Sequence, residues 1–386
     1  MTYRRHINHL YEANYLTFKQ LKKILQDIAT GFTDTFEKFD GANLLVSLDD
    51  QENLPIVARA QQDIDDGGLN KEKLLHKFSG ADKMSNVFGS AYDAICEFFN
   101  NSNANVLKEV FNPFERQWIS AEVVSESAVN IIPYSKNCVL FHRTGISNAE
   151  TLKESFDNLF NIINEGQKFN EGNWMICPPK KANINEISAG KLKKHFESLN
   201  MIAIRGRVLE EATIGQYKEK WLKRKMLENL TTIYSSRKLN EIENYILKKE
   251  PIPRLIEIKK GLSKLQEVQA KNFIENRKNI LEEIMFPLEK VIFEFTRDLL
   301  GGQKSYLVED NEIVVNEINK KTEFYLTAVK NENIACQNAK RILRENKANS
   351  SVEGVVFEVD GNNYKMIGNY KYINRLKNEY LKENKK

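Results

Sequence analysis

Cysteine, histidine and proline are scarce in this chain, and long apolar runs are missing. The four cysteines (Cys96, Cys138, Cys177, Cys336) stand far apart and form no Cys-x-x-Cys pair. Reduced thiols in a cytoplasmic compartment are the simplest account. Of the five histidines, His6 and His9 would share one face of a helix, but no cysteine or third histidine is near them in sequence. Ordinary hydrogen-bonding histidines are therefore expected there rather than a zinc site. No run approaches the ~18 apolar residues of a membrane span, and Met1-Thr2-Tyr3-Arg4-Arg5 leads into no apolar signal core. No membrane association is expected. Internal repeats and low-complexity segments are lacking too.

What the chain does have is a large apolar and aromatic content. Hydrophobic residues make up 41%, with 21 Phe and 14 Tyr, enough to build substantial cores. A length of 386 residues suggests two domains. The net charge of +4 conceals an asymmetry. Residues 217–264 carry 13 Lys/Arg against 6 Asp/Glu, and residues 362–386 carry 7 against 2, so the remainder is acidic. A basic helical surface beside an acidic body favours a polyphosphate partner. Lys218, Lys220, Lys223, Arg224 and Lys225 are the candidate nucleic-acid contacts, with Tyr217 and Trp221 available to stack on unpaired bases. A solvated helix face with core aromatics is the competing reading.

One stretch presents a lysine in a setting suited to nucleophilic chemistry. In Glu37-Lys38-Phe39-Asp40-Gly41-Ala42-Asn43, Lys38 and Asp40 lie two apart, so in an extended chain they project on one face. Gly41 removes a Cβ where a phosphate or a partner backbone would approach. Leu44–Leu48 reads as a buried strand closed by Asp49-Asp50. A lysine becomes nucleophilic only when desolvation or a cationic neighbour lowers its pKa. A nucleotide with its divalent metal supplies both a cation and an electrophile.

Three further segments accompany it. Val352–Phe357 and Tyr364–Gly368 flank Asp360-Gly361-Asn362-Asn363, which predicts a β-hairpin with Glu353 and Lys365 on neighbouring strands. An ordinary hairpin with solvated charges is the competing reading. Trp118–Val124 reads as a strand carrying one acid, Glu122, which could equally be an edge-strand residue facing water. Ile56-Val57-Ala58-Arg59 reads as a strand ending in an arginine, either functional or salt-bridged on the surface.

Together and in this order, the segments resemble the covalent nucleotidyltransferases: ATP- or NAD-dependent polynucleotide ligases and mRNA capping enzymes. Lys38-x-Asp40-Gly41 resembles motif I, Glu122 the motif III glutamate, Glu353-Gly354-Val355-Val356 motif IV, and the run around Lys365 motif V. Cys138–Arg143 takes the place of motif IIIa. Glu37-Lys38-x-x-Gly41-x-Asn43 looks more like phage RNA-repair ligases than DNA ligases. His9-Leu10-Tyr11 and Leu16-Thr17-Phe18 resemble a group of ligase-like phage proteins. The resemblance covers roughly residues 9–145 and 350–372. It departs from the family in two ways. Asn363 and Ile367 stand where motif V normally offers a second lysine, and the chain ends soon after motif V, leaving no room for an OB domain. The second departure argues against capping and against an ordinary DNA ligase.

The resemblance implies a reaction and a site. Lys38 would attack the ATP α-phosphate to give a lysyl-AMP intermediate, assisted by Lys365 and Glu353. Glu37, Asp40, Gly41, Asn43, Arg59 and Glu122 would hold the nucleotide. Asp40 and Glu353 would orient the water shell of Mg²⁺ (or Mn²⁺). The partner would be nucleic acid, RNA favoured over DNA. An acceptor other than nucleic acid, a non-catalytic nucleic-acid binder and a structural phage protein are the alternatives.

The expected fold is α+β. An antiparallel-sheet nucleotidyltransferase (ATP-grasp-like ligase adenylation) domain, residues 1–150 and 346–386, carries a large α-helical insertion, residues 151–345, able to clamp nucleic acid, with no OB domain. A helix is expected over 5–30 with Gly31 as its stop, strands over 35–60, a turn at Asp65–Gly68, helices to 111 and strands over 117–145. The helical region is broken at Cys177-Pro178-Pro179, Pro251-Ile252-Pro253 and Gly301-Gly302. Ile280–Phe295 is apolar at helical spacing, and Pro287 would kink it.

Overall fold

A computed structural model describes residues 7–49, 54–114, 116–127, 131–142, 150–161, 163, 167–169, 173–230, 236–248 and 263–384. Its architecture is α+β, with two mostly antiparallel sheets and helices packed on them.

The strands are β1 (Asn8–His9), β2 (Thr35–Lys38), β3 (Ala42–Leu48), β4 (Pro55–Ala58), β5 (Ile119–Val124), β6 (Cys138–Phe141), β7 (Met175–Cys177), β8 (Gly354–Val359) and β9 (Asn362–Ile367). The first sheet runs β1-β9-β8-β2 and the second β4-β3-β5-β6-β7. Only β1·β9 and β6·β7 are parallel pairs among them. The chain leaves the first sheet at Lys38 and enters the second at Ala42, so Phe39-Asp40-Gly41 is the joint between the sheets.

Local chemistry explains the elements that frame this joint. Asp360 and Gly361, both at positive φ (50° and 71°), form the two-residue turn of the β8–β9 hairpin. The first helix spans Phe18–Ala29 rather than beginning near residue 5. Thr17 caps it, accepting from Gln20 N–H while Gln20 accepts from Thr17 N–H, and Gly31 (φ 72°) follows its end. Asn8 and His9 are drawn instead into the first sheet opposite Tyr364 and Lys365. His9 stacks on Tyr11, and His6 lies outside the described residues.

Helices cover the outer faces of both sheets. Helix Arg277–Leu300 buries Ile284, Leu288, Val291 and Phe295 in one core with Val355, Tyr364 and Met366 of the first sheet. Helix Asp82–Asn101 packs Phe88, Ile95 and Phe98 against Leu44, Val46 and Val139 of the second.

The helical region 151–345 shares these cores instead of keeping its own. Leu21, Leu199, Leu288 and Tyr364 belong to a single cluster that crosses the expected boundaries at 150/151 and 345/346. β7, from the same region, completes the second sheet. Cys177-Pro178-Pro179 is not a break between helices. It carries the chain from β7 to the open edge of β2, where Glu37 N–H binds Lys180 O at 2.8 Å and Ala182 N–H binds Thr35 O at 2.9 Å. Pro251-Ile252-Pro253 and Arg143 lie outside the described residues. Among the described residues, no helix is long and apolar enough to cross a membrane.

Candidate active site

Strand register decides which side chains meet. Lys38 is opposite Gly354, and Lys365 is opposite Val356, two residues further along β8. Directly paired residues share a face, as do residues two apart on one strand. Lys38 and Lys365 therefore project from the same face of the first sheet, with β8 between them. Glu353 immediately precedes β8, and its carboxylate accepts from Lys38 Nζ at 2.7 Å. Lys38 also donates to the Phe39 carbonyl at 2.9 Å.

The second sheet supplies the opposite wall. Gly41 N–H donates to Glu122 Oε1 at 3.1 Å, and His142 Nε2 lies 3.3 Å from Glu122 Oε2. Asn43 pairs with Glu122 in register, and its Oδ1 accepts from Ser120 Oγ at 3.0 Å. A Cβ on Gly41 would lie 2.6 Å from Glu122 Cγ and 2.8 Å from the Val123 carbonyl. The glycine therefore serves the approach of the partner backbone. Asp40 is fixed from two sides: its Oδ2 accepts from Ile131 N–H at 2.8 Å, and its N–H donates to Tyr134 OH at 2.7 Å.

These groups set one another's protonation. Burial works against the Lys38 ammonium, but Glu353, Glu122 and Asp40 outweigh it and hold its pKa above the ordinary lysine value. Burial raises Glu353, Lys38 opposes this, and Asp40 and Glu122 add to it, leaving the carboxyl above its usual range. The shared proton rests on Lys38, the more basic partner. Burial also pushes Glu122 up, yet Lys38 and His142 outweigh it and hold the carboxyl low. Lys365 is depressed by burial first and by Lys38 second.

Other expected site residues are placed elsewhere. Strand alternation turns Glu37 to the face opposite Lys38, where its Oε2 accepts from Tyr306 N–H at 3.1 Å and the Ser305 hydroxyl also faces the carboxyl. Burial pushes Glu37 up to about 7. Arg59 is fixed on the flank of the second sheet, its guanidinium bound to the Asn43 carbonyl and stacked 4.7 Å over Phe88.

The basic helix Ile214–Leu230 pairs its cations with groups of the same molecule, at the surface. Lys218 binds Asn14 Oδ1 at 2.6 Å, Lys220 the Arg207 carbonyl at 3.0 Å, and Arg224 the Arg205 carbonyl at 3.1 Å. Lys223 pairs with Glu219 and Glu243, and Lys225 with Glu283 at 2.7 Å. Tyr217 is a core residue donating to the Ile284 carbonyl, while Trp221 is covered by Arg224 at 4.2 Å.

Sequence reasoning gave His142 and Tyr134 no role. The position of His142 was readable from alternation, since it lies two residues beyond Leu140, the partner of Glu122. Tyr134 sits in a loop and gave no such signal. A cavity of about 510 Å³ is lined by His142, Phe36 and Val356 together with Asp27, Asp34 and Asp360, and not by Lys38, Glu353 or Lys365. Compared with known proteins, the chain matches no family model, no curated protein and no solved structure.

Proposed function

We propose that this protein is an ATP-dependent polynucleotide ligase, an RNA-repair type covalent nucleotidyltransferase working in the cytoplasm through a lysyl-AMP intermediate. One observation carries the reading. Lys38 and Glu353, from opposite ends of the chain, form a partly buried ion pair on the sheet face that also carries Lys365. The ordered motifs, the α+β architecture and the Glu122–Asn43 wall support it.

The implied divalent cation is compatible with the residues present. Among the described residues, no three His, Cys, Asp or Glu side chains converge as a ligand set, so there is no ready-made cage. Asp40 and Glu353 interact across the site. Two carboxylates suit a cation that keeps most of its waters and arrives on nucleotide phosphates. When bound, it neutralises charge on the phosphoryl oxygens.

In the first step, Lys38 releases its proton to water and lets go of Glu353, and its Nζ lone pair attacks the α-phosphorus. The N–P bond forms, the bond to the bridging oxygen breaks, and pyrophosphate leaves. Lys365 stabilises the charge on the α-phosphate, and Glu122 takes a ribose hydroxyl. An oxygen of a 5′-phosphate then displaces Lys38 from the adenylate, and a 3′-hydroxyl displaces AMP to seal the strand. Incubation with α-labelled ATP and Mg²⁺ tests the reading. Acid-stable label on the wild type and none on Lys38→Ala is the expected outcome; no label on either protein contradicts it.

A second reading keeps the adenylation but changes the acceptor. The internal pairing of Lys218, Lys220, Lys223, Arg224 and Lys225 favours an acceptor other than nucleic acid. Pre-adenylylated protein offered 5′-phosphorylated RNA, DNA and non-nucleic-acid acceptors distinguishes the two.

A further inference from the structure

A second group of cations lies behind β2, on the side that Glu37 faces. Lys180 Nζ is 4.2 Å from the centre of the Tyr306 ring, and Lys136 Nζ is 5.4 Å from it. Both lysines are partly exposed, and neither forms an ion pair among the described residues. Lys180 also hydrogen-bonds the Tyr306 hydroxyl, and an aromatic face compensates each ammonium only weakly.

The backbone presenting these groups is held firmly. Pro178-Pro179 fix φ just ahead of Lys180, and the Lys180 carbonyl is bound by Glu37 N–H. Lys136 follows Ser135, whose N–H and hydroxyl both bind the Leu307 carbonyl at 3.1 Å. Tyr306 is tied through its N–H to Glu37 Oε2. The positive field reaches inward as well. Buried Cys177 is held below the ordinary thiol range by its hydrogen bond with Cys138, and then by Lys180 and Lys136.

We propose that Lys136, Lys180 and Tyr306 form an oxyanion site that binds a phosphate group. The two ammoniums neutralise the group and the Tyr306 hydroxyl offers a neutral donor. A small polyphosphate and a nucleic-acid backbone both present this chemistry. The site does not depend on nucleotidyl transfer at Lys38.

Two probes test it: titration with tripolyphosphate, and fluorescence anisotropy with a labelled single-stranded RNA. Each is applied to the wild type, to Lys136→Ala/Lys180→Ala and to Lys136→Arg/Lys180→Arg. The alanine pair should weaken binding about tenfold, and with RNA the slope of log affinity on log salt should shrink by about 1.4, the share of two phosphate contacts. The arginine pair should bind like the wild type. Weakening with tripolyphosphate alone assigns the site to small polyphosphates, and weakening with both assigns it to nucleic acid. Unchanged affinity of the alanine pair for both probes overturns the proposal. Repeating the titrations on Lys38→Ala protein separates this site from the fate of the ligase reading, and coincident melting curves exclude unfolding as the cause.

Discussion

Lys38 and Glu353 are 315 positions apart in sequence, and their charged atoms are 2.7 Å apart in the fold. The pair keeps the amine protonated at rest; on the proposed ligase reading, a cation arriving with the nucleotide would engage Glu353 and release Lys38 for attack.

Removing one partner leaves the other buried and poorly compensated. Glu353→Ala should lower stability by about 1–3 kcal/mol, below the usual cost of breaking a buried pair because Glu122 and Asp40 remain near Lys38. Thermal unfolding of the variant against wild type checks this. Glu353→Gln, which preserves shape, should unfold closer to wild type while still failing to label with ATP.

Glu37 predicts a pH dependence. Its folded pKa is about 7, above the ordinary carboxyl value, because of burial. Between the unfolded pKa and that value the folded state holds a proton that the unfolded state has lost. The contribution of Glu37 is therefore fully present below the unfolded pKa, and falls away as pH rises toward about 7. Glu37→Gln should flatten this fall and stabilise the protein above neutrality by about 1–2 kcal/mol. Denaturant unfolding at a series of pH values measures it. An identical pH profile for wild type and variant would contradict the assignment.

Lys365 should matter for chemistry more than for folding. Lys365→Ala should slow single-turnover labelling by about 100- to 1000-fold, the scale of losing one charged stabiliser of a transition state. Lys365→Arg should recover part of the rate. Equal rates for all three proteins would remove Lys365 from the site.

Gly41 and Gly354 are required by close approach. A Cβ on Gly354 would lie 2.2 Å from the Met366 carbonyl, a backbone atom that cannot step aside without opening the hairpin. Gly41→Ala meets a side-chain carbon and a carbonyl at slightly longer range. Gly354→Ala should therefore destabilise more than Gly41→Ala, for which overpacking costs of about 1–3 kcal/mol apply. The order of melting temperatures settles it.

How much of this was readable from sequence varies with the range of the interaction. The β8–β9 hairpin announced itself through Asp360-Gly361 and the end of the first helix through Gly31, whose effects are local, whereas the start of that helix at Thr17, rather than near residue 5, was missed. The buried strand that follows Lys38 was legible from its apolar run, but that Phe39-Asp40-Gly41 joins two separate sheets was not. Three further features were hidden. The face taken by Glu37 depends on the exact register of β2. The basic helix faces Asn14, Glu243 and Glu283, which only folding brings near. The crossing of Cys177-Pro178-Pro179 to β2 pairs residues distant in sequence, so its prolines read as a simple break.

The most direct test of the account is the site of covalent attachment. After incubation with ATP and Mg²⁺, peptide mass spectrometry of the denatured protein should place AMP on Lys38 of the wild type. Glu353→Gln should carry little or none. AMP found on another residue, or full occupancy of Lys38 in Glu353→Gln, would contradict the central claim that this ion pair is the reacting centre.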